Sequence, residues 1–139
     1  MSTNVQFSIA VHVMAGLGYF GRKDITSGDL ASSVNTSPSF VRRILARLSR
    51  AGLIETSKGK SGACWLAMKP AKISLLDIYK AVEAPKAFAI HRYPARLSCP
   101  VSTNIKSSLS RALDKTQASL ERSLKEISLA EVITGLKRR

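Results

Sequence analysis

From about Asn4 to Phe20, apolar residues (Phe7, Ile9, Ala10, Val11, Val13, Met14, Leu17, Phe20) occupy most sides of a helical wheel. A helix with so little polar face is expected to be buried, here between the unit formed by the elements that follow and a second subunit. Gly21 and the polar run Arg22-Lys23-Asp24 end it. Ser27 is placed to cap a short helix through about Val34, with Leu30, Ala31 and Val34 inward, and Asn35-Thr36 supply a tight turn. Ser37-Pro38 is a strong start signal: a serine N-cap, then proline at the first helical position, where a missing N–H costs nothing. The helix so begun runs to Ala51 and stops at Gly52, a residue suited to a left-handed cap.

Leu53 to Thr56 and Ala63 to Ala67 read as short strands flanking Ser57-Lys58-Gly59-Lys60-Ser61-Gly62, a glycine-containing cationic hairpin tip. Pro70 closes this segment, and Ser74 with Asp77 three residues on begins a helix from Leu75 to about Glu83. Residues 84–99, with Pro85 and Pro94, show no period and read as a loop. From Pro100 to about Glu126 a long helix places Ile105, Leu109, Leu113, Thr116, Leu120, Leu124 and Ile127 at coiled-coil-like spacing. Ser128 and Glu131 form a capping box for a last short helix, and Lys137-Arg138-Arg139 suits its negative end.

On the helix from Ser37, Val41, Ile44, Leu45 and Leu48 fall on one side as a stripe to be buried. Ser39, Arg42, Arg43, Ala46 and Arg50 collect on the other, with Arg47 at the margin. No acidic residue occurs between Asp29 and Glu55, whereas a merely solvated helix would mix signs. A short helix, a tight turn and a cationic helix form the arrangement of a major-groove reader. Arg42 and Arg43, near the helix start, are the candidates for base edges, because a guanidinium pairs with both acceptors of guanine. Ser37 and Ser39, with first-turn N–H groups, are placed to hold a phosphate, and Phe40 belongs to the same DNA-facing set. Arg47 and Arg50 are expected on the DNA backbone, and Lys58 and Lys60 in an adjacent minor groove or on its phosphates.

Charge sharpens this picture. Twenty-two Lys and Arg against nine Asp and Glu give +13, and the pI is near 10.4. Such a field draws polyanions, so nucleic acid or an acidic membrane surface is the expected partner. A chain of 139 residues, 45% apolar, has the length and composition of one ordinary globular domain. The stretch Phe7–Phe20 is shorter than the roughly 20 residues that cross a bilayer, and no signal-peptide pattern precedes it, so a cytoplasmic protein is expected. No phosphate-cradling glycine loop, nucleophile elbow or paired-histidine motif is present, which argues against an enzyme. The competing function is a nonspecific architectural nucleic-acid-binding protein, which shares the charge but needs neither capped recognition helix nor wing.

The stretches Asp29-Leu30-Ala31, Ser37-Pro38-Ser39-Phe40-Val41 and Leu48-Ser49-Arg50-Ala51-Gly52-Leu53-Ile54 resemble the Rrf-type family of winged helix-turn-helix transcriptional regulators. So do Ser57-Lys58-Gly59, Gly62, Leu66-Ala67, Ile73, Asp77-Ile78 and Val82-Glu83. In the wing the family carries an arginine, a second glycine and an aromatic where this chain has Lys58, Ala63 and Cys64. The resemblance implies a mainly α fold, a three-helix core with a two-stranded β-wing, and a long C-terminal dimerisation helix. It divides the chain into a DNA-binding domain (1–83), a sensor loop (84–99) and a dimerisation helix with a C-terminal helix (100–139). It further implies a homodimeric regulator, a repressor, on double-stranded DNA with two related half-sites. Ile105, Leu109, Leu113, Leu120 and Leu124 would form the dimer contact, for which intramolecular packing is the competing explanation.

Several members of that family bind an iron–sulfur cluster through three closely spaced cysteines before the long helix. Here that loop holds only Cys99, and a cluster needs about four donors, so neither cluster, metal nor other cofactor is expected. Two readings of Cys99 stand open: a small packed residue, or a sensor whose thiolate is favoured by the helix N-terminus and by nearby His91, Arg92 and Arg96. The second would make an oxidant or electrophile the effector, and a small-molecule effector is equally compatible with the loop. Cys64, beside Trp65, reads as structural, and His12, inside an apolar helix, as a satisfied core histidine.

Overall fold

The structure, a computed structural model, describes residues 5–57 and 62–137. Lys58 and Lys60 of the expected wing tip, together with Arg138 and Arg139, lie outside the described residues. The elements in chain order are α1 (Val5–Phe20), β1 (Ile25–Thr26), α2 (Ser27–Val34), α3 (Pro38–Arg50), β2 (Ile54–Thr56), β3 (Ala63–Leu66), α4 (Leu75–Ala81), α5 (Pro100–Glu126) and α6 (Leu129–Leu136). The winged helix-turn-helix with a long C-terminal helix is the architecture found, with one strand more than the expected wing. The added strand β1 pairs antiparallel with β3, which therefore lies between β1 and β2. Two residues carry no readable period, so only the long-range pairing Ile25↔Cys64 and Thr26↔Ala63 defines that strand.

Strand β1 also moves the start of α2. Thr26, not Ser27, is the N-cap, and it forms a reciprocal capping box with Asp29. The Asp29 N–H donates to Thr26 Oγ1 at 3.1 Å, and the Thr26 N–H donates to Asp29 Oδ2 at 3.0 Å. Asn35 then takes the left-handed conformation, φ 71°, and its N–H donates to the Ala31 carbonyl. Such a conformation is tolerable for Asn, and it turns the chain sharply into α3.

Helix α3 is fixed at both ends. Ser37 Oγ accepts the Phe40 N–H at 3.3 Å, and Pro38 occupies the first turn. At the other end Gly52, φ 77°, lets the Leu53 N–H reach the Leu48 carbonyl and its own N–H reach Ser49, a Schellman closure. Between them Val41, Ile44, Leu45 and Leu48 are buried against α1, α2, α4 and the sheet in one contiguous core.

The base of the C-terminal half is tied to that core. The Leu75 N–H donates to the Ile127 carbonyl at 2.9 Å and the Leu129 N–H to the Ile73 carbonyl at 2.8 Å. Leu129 and Ile133 of α6 are buried with the winged-helix residues. Helix α6 reaches α1 at Gly18, where an added Cβ would overlap Ile133 Cδ1. Only one of the two expected capping-box bonds of α6 is present: the Glu131 N–H donates to Ser128 Oγ at 3.2 Å.

Within the single chain, α1 is only partly covered, and one expectation about it is corrected. One face is buried (Ala10, Val13, Met14, Ala15, Leu17), while Val5, Tyr19 and Phe20 are exposed. His12 is exposed too, hydrogen-bonded to Ser33 Oγ at 2.9 Å rather than enclosed in the core. Its neighbours in sequence are apolar, but its position on the wheel lies off the stripe that faces α3.

The Thr26 N–H bond to Asp29, then the Thr26 hydroxyl and the charge of Arg22, hold the Asp29 carboxyl below its ordinary value of 3.8. A carboxylate with a depressed folded-state pKa stabilises the fold above its unfolded-state pKa, and that contribution is lost as pH falls through the folded value. Asp29→Asn is therefore expected to lower the urea midpoint at pH 7, with the gap to the unmodified protein closing as pH drops below about 4. A gap that stays constant in urea titrations over this range contradicts the carboxylate's role. Thr26→Ala should cost about 0.5–2 kcal/mol at neutral pH.

Candidate nucleic-acid interface

Burial of the aliphatic stripe dictates where the remaining side chains of α3 point. Ser39, Arg42, Arg43, Ala46 and Arg50 are exposed. Among the described residues the only ion pairs are Arg22–Asp24 and Lys86–Asp114, so no carboxylate neutralises the α3 arginines. The Arg43 guanidinium lies over the Phe40 ring, 5.4 Å from its centroid, and Phe40 is half-buried against the core. Stacking on an aromatic face restrains a long side chain while leaving its N–H fork free. Ser37 Oγ and Ser39 Oγ lie 3.4 Å apart at the helix start, where first-turn N–H groups also point outward.

Arg47 departs from the sequence reading. Its Nη1 donates to the Val82 carbonyl at 2.9 Å and to Gln6 Oε1 at 3.3 Å, and the side chain is half-buried. The position at the margin of the wheel brings it against α1 and the end of α4, so its guanidinium ties three helices together and does not stand with the other arginines. Arg50 shares a polar cleft with Lys80 of α4 and with Glu83, whose φ of 52° is left-handed.

Behind the sheet, Cys64 is buried and its Sγ–H points at the Ile25 carbonyl at 3.7 Å. Burial pushes the Cys64 thiol up to about 11. On the outer face Trp65 Nε1 donates to Glu55 Oε2 at 2.9 Å across the β2–β3 register.

Segment 84–99 contains no helix or strand, and Phe88, Tyr93 and Leu97 are exposed on it. Cys99 ends it as the N-cap of α5: its Sγ accepts the Ser102 N–H at 3.4 Å, and it is half-buried. The thiol thus takes the place a serine usually holds at a helix start.

Helix α5 buries one residue, Gln117, and that residue was not foreseen. Gln117 Oε1 accepts the Ala87 N–H at 3.0 Å, and Nε2 donates to Tyr79 Oη at 3.0 Å and to Glu121 at 3.3 Å. Tyr79 in turn donates to the Pro85 carbonyl and stacks edge-on against Phe7 of α1. Spacings of four, three and four from Leu113 through Gln117 to Leu120 and Leu124 were available in the sequence; the apolar stripe drawn through Thr116 passed one residue beside it. Thr116 is exposed, Leu113, Leu120 and Leu124 are half-buried, and Ile105 (39%), Leu109 (38%) and Val101 (67%) stand open to solvent.

No helix among the described residues is long and apolar enough to cross a membrane. Among them, too, no group of three or more His, Cys, Asp or Glu is placed to hold a metal.

Residues 3–135 match the sequence profile of a family described as Rrf2, iron-dependent transcriptional regulator. YwnA of Bacillus subtilis strain 168, named as an HTH-type transcriptional regulator, is 34% identical over 135 residues, spanning 96% of this chain and 98% of that protein. A crystal structure described as that of a DNA-binding protein superposes with a TM-score of 0.72 at 30% identity, covering 92% of this chain and 98% of the other. The oxidised form of Staphylococcus aureus CymR shares the fold, with a TM-score of 0.71 at 19% identity over 96% of each chain. The donor set here does not fit the iron in the family description, because one thiol is enclosed in the sheet and the other caps a helix alone.

The two thiols are expected to separate cleanly in alkylation. Iodoacetamide at pH 8 should label Cys99 in the native protein and reach Cys64 only on unfolding, since thiolate and access are both required. Mass-mapped labelling of Cys64 at a rate comparable to Cys99 contradicts the enclosed placement.

Proposed function

Since the chain belongs to the Rrf2 family of transcriptional regulators, we propose that it acts as a homodimeric, sequence-specific DNA-binding repressor that enters the major groove with α3. One observation carries this reading: a helix capped at both ends buries its aliphatic stripe and leaves Arg42, Arg43 and Arg50 exposed without a carboxylate partner. Arg42 and Arg43 read base edges, Ser37, Ser39 and the first-turn N–H groups hold a phosphate, and Arg50 contacts the backbone. Phe40 serves by carrying the Arg43 fork on its ring. Arg47 holds the pose of α3 against α1 and α4. Lys58 and Lys60 of the wing tip remain on the proposed contact surface by sequence alone.

The proposed dimer forms along α5. Val101, Ile105 and Leu109 recur every four residues and stay exposed among the described residues, which supports a second copy as their partner. In this reading residues 1–83 bind DNA, 84–99 sense and 100–139 join the subunits. Modification of Cys99 by an oxidant or electrophile would remove the cap it gives Ser102 and loosen the start of α5. Repression as the sign of control follows the repressors that the family includes.

Arg43→Ala is expected to weaken binding to a selected operator by about 1–3 kcal/mol and to relax preference at one base position. Competition against random duplex at fixed salt checks it, and equal loss on all sequences would favour the nonspecific architectural alternative. Leu109→Glu should yield a monomer by sedimentation; an unchanged dimer excludes the α5 interface.

A further inference from the structure

Helix α1 presents Ser8, His12, Ala15 and Tyr19, spaced four, three and four apart, to a groove walled by Ser33 of α2 and by α6. The groove is open to solvent and offers about 490 Å³, within the roughly 300–1,000 Å³ typical of small-molecule sites. Its body is apolar, closed by Val132 and Leu136 of α6. Polar groups gather at one end: Ser8 Oγ, and the His12–Ser33 pair joined Nε2 to Oγ at 2.9 Å. That pair spans α1 and α2, and the second imidazole nitrogen has no hydrogen-bond partner among the described residues.

Charge decides what fits. No lining residue is acidic. At the opposite end, just outside the lining, Lys137 Nζ lies 5.6 Å from the Tyr19 ring centroid, whereas Arg22, 5.1 Å from that of Phe20, is already paired with Asp24 at 2.7 Å. An apolar body between hydrogen-bonding groups and the Lys137 ammonium suits an organic anion with an aromatic or aliphatic body. Helix α5, the proposed dimer element, contributes nothing to the lining.

We propose that this groove is a binding site for a small aromatic or aliphatic carboxylate, which acts as an effector. The ligand bridges α1, α2 and α6. Because α2 leads into α3 through the Asn35-Thr36 turn, occupancy changes the pose of the recognition helix. The binding site stands independently of the DNA reading; the effector role rests on it.

The test titrates the full chain with benzoate, benzamide and benzylamine, followed by ligand-observed NMR and thermal shift. Benzoate should bind saturably at one site per chain, with the neutral and cationic analogues at least tenfold weaker. Ser8→Trp, at an exposed position, and His12→Ala should each weaken benzoate at least tenfold with unchanged circular dichroism. Absent saturable binding, equal affinity for benzamide, or full benzoate affinity in Ser8→Trp overturns the site. So does conversion of a dimer to a monomer by Ser8→Trp, which would make the groove a contact between copies. The effector role is read from anisotropy on a selected genomic fragment: benzoate should shift the midpoint at least threefold in the unmodified protein and not in Ser8→Trp. Binding of benzoate without that shift removes the effector role and leaves the site. If no genomic fragment binds selectively, the DNA reading and the effector role fall together, while the binding result stands.

Discussion

Helix α3 has to satisfy two opposed demands. Its aliphatic side must be held tightly enough to immobilise it, and its basic side must stay free of any internal partner. The chain meets the first with Val41, Ile44, Leu45 and Leu48 and with hydrogen-bonded closures at Ser37 and Gly52. It meets the second by composition, since no acidic residue lies between Asp29 and Glu55 to pair with the arginines. Burial of the stripe fixes rotation about the helix axis, and the two caps fix where the helix begins and ends. Everything that surrounds α3 can be understood as holding that rotation. Arg47 does so most directly, because its guanidinium spends Nη1 on Val82 and Gln6.

Where local chemistry governs, the sequence was sufficient. Ser37-Pro38, Gly52, Ser74 with Asp77, and the start of α5 at Pro100 are all signals whose cause lies within four residues, and each stands where expected. Features set by distant partners were not legible. Strand β1 exists because Cys64 and Ala63 lie beside it, and pairing across nearly forty residues leaves no periodic trace in two positions. The cap of α2 shifted by one residue for the same reason. His12 and Arg47 show the limit of a wheel, which gives the direction of a side chain but not what another helix brings to meet it. The candidate base-reading residues came from a pattern, whereas Gln117 required knowing which of two adjacent rows faces α4.

Gln117 also shows how a polar residue organises the junction between the two halves. Three hydrogen bonds satisfy its amide where water has little access, so its burial carries little penalty and gives strong orientation. Through Tyr79 and Phe7 it touches α4 and α1, and α1 and the end of α4 are the elements that Arg47 grips. Segment 84–99, α5 and α3 are therefore linked by contacts that share α1 and α4.

The pairing of residues 73–75 with 127–129 gives the chain a hinge-like root. Everything from α4 through α5 departs from and returns to the same place on the winged-helix body. Helix α5, 27 residues and thus about 40 Å long, is an outrigger bolted at its base. Insertions or deletions of whole turns toward its outer end would change how far the helix reaches while leaving the root undisturbed. The reach of the helix and the architecture of the core are for that reason free to diverge separately.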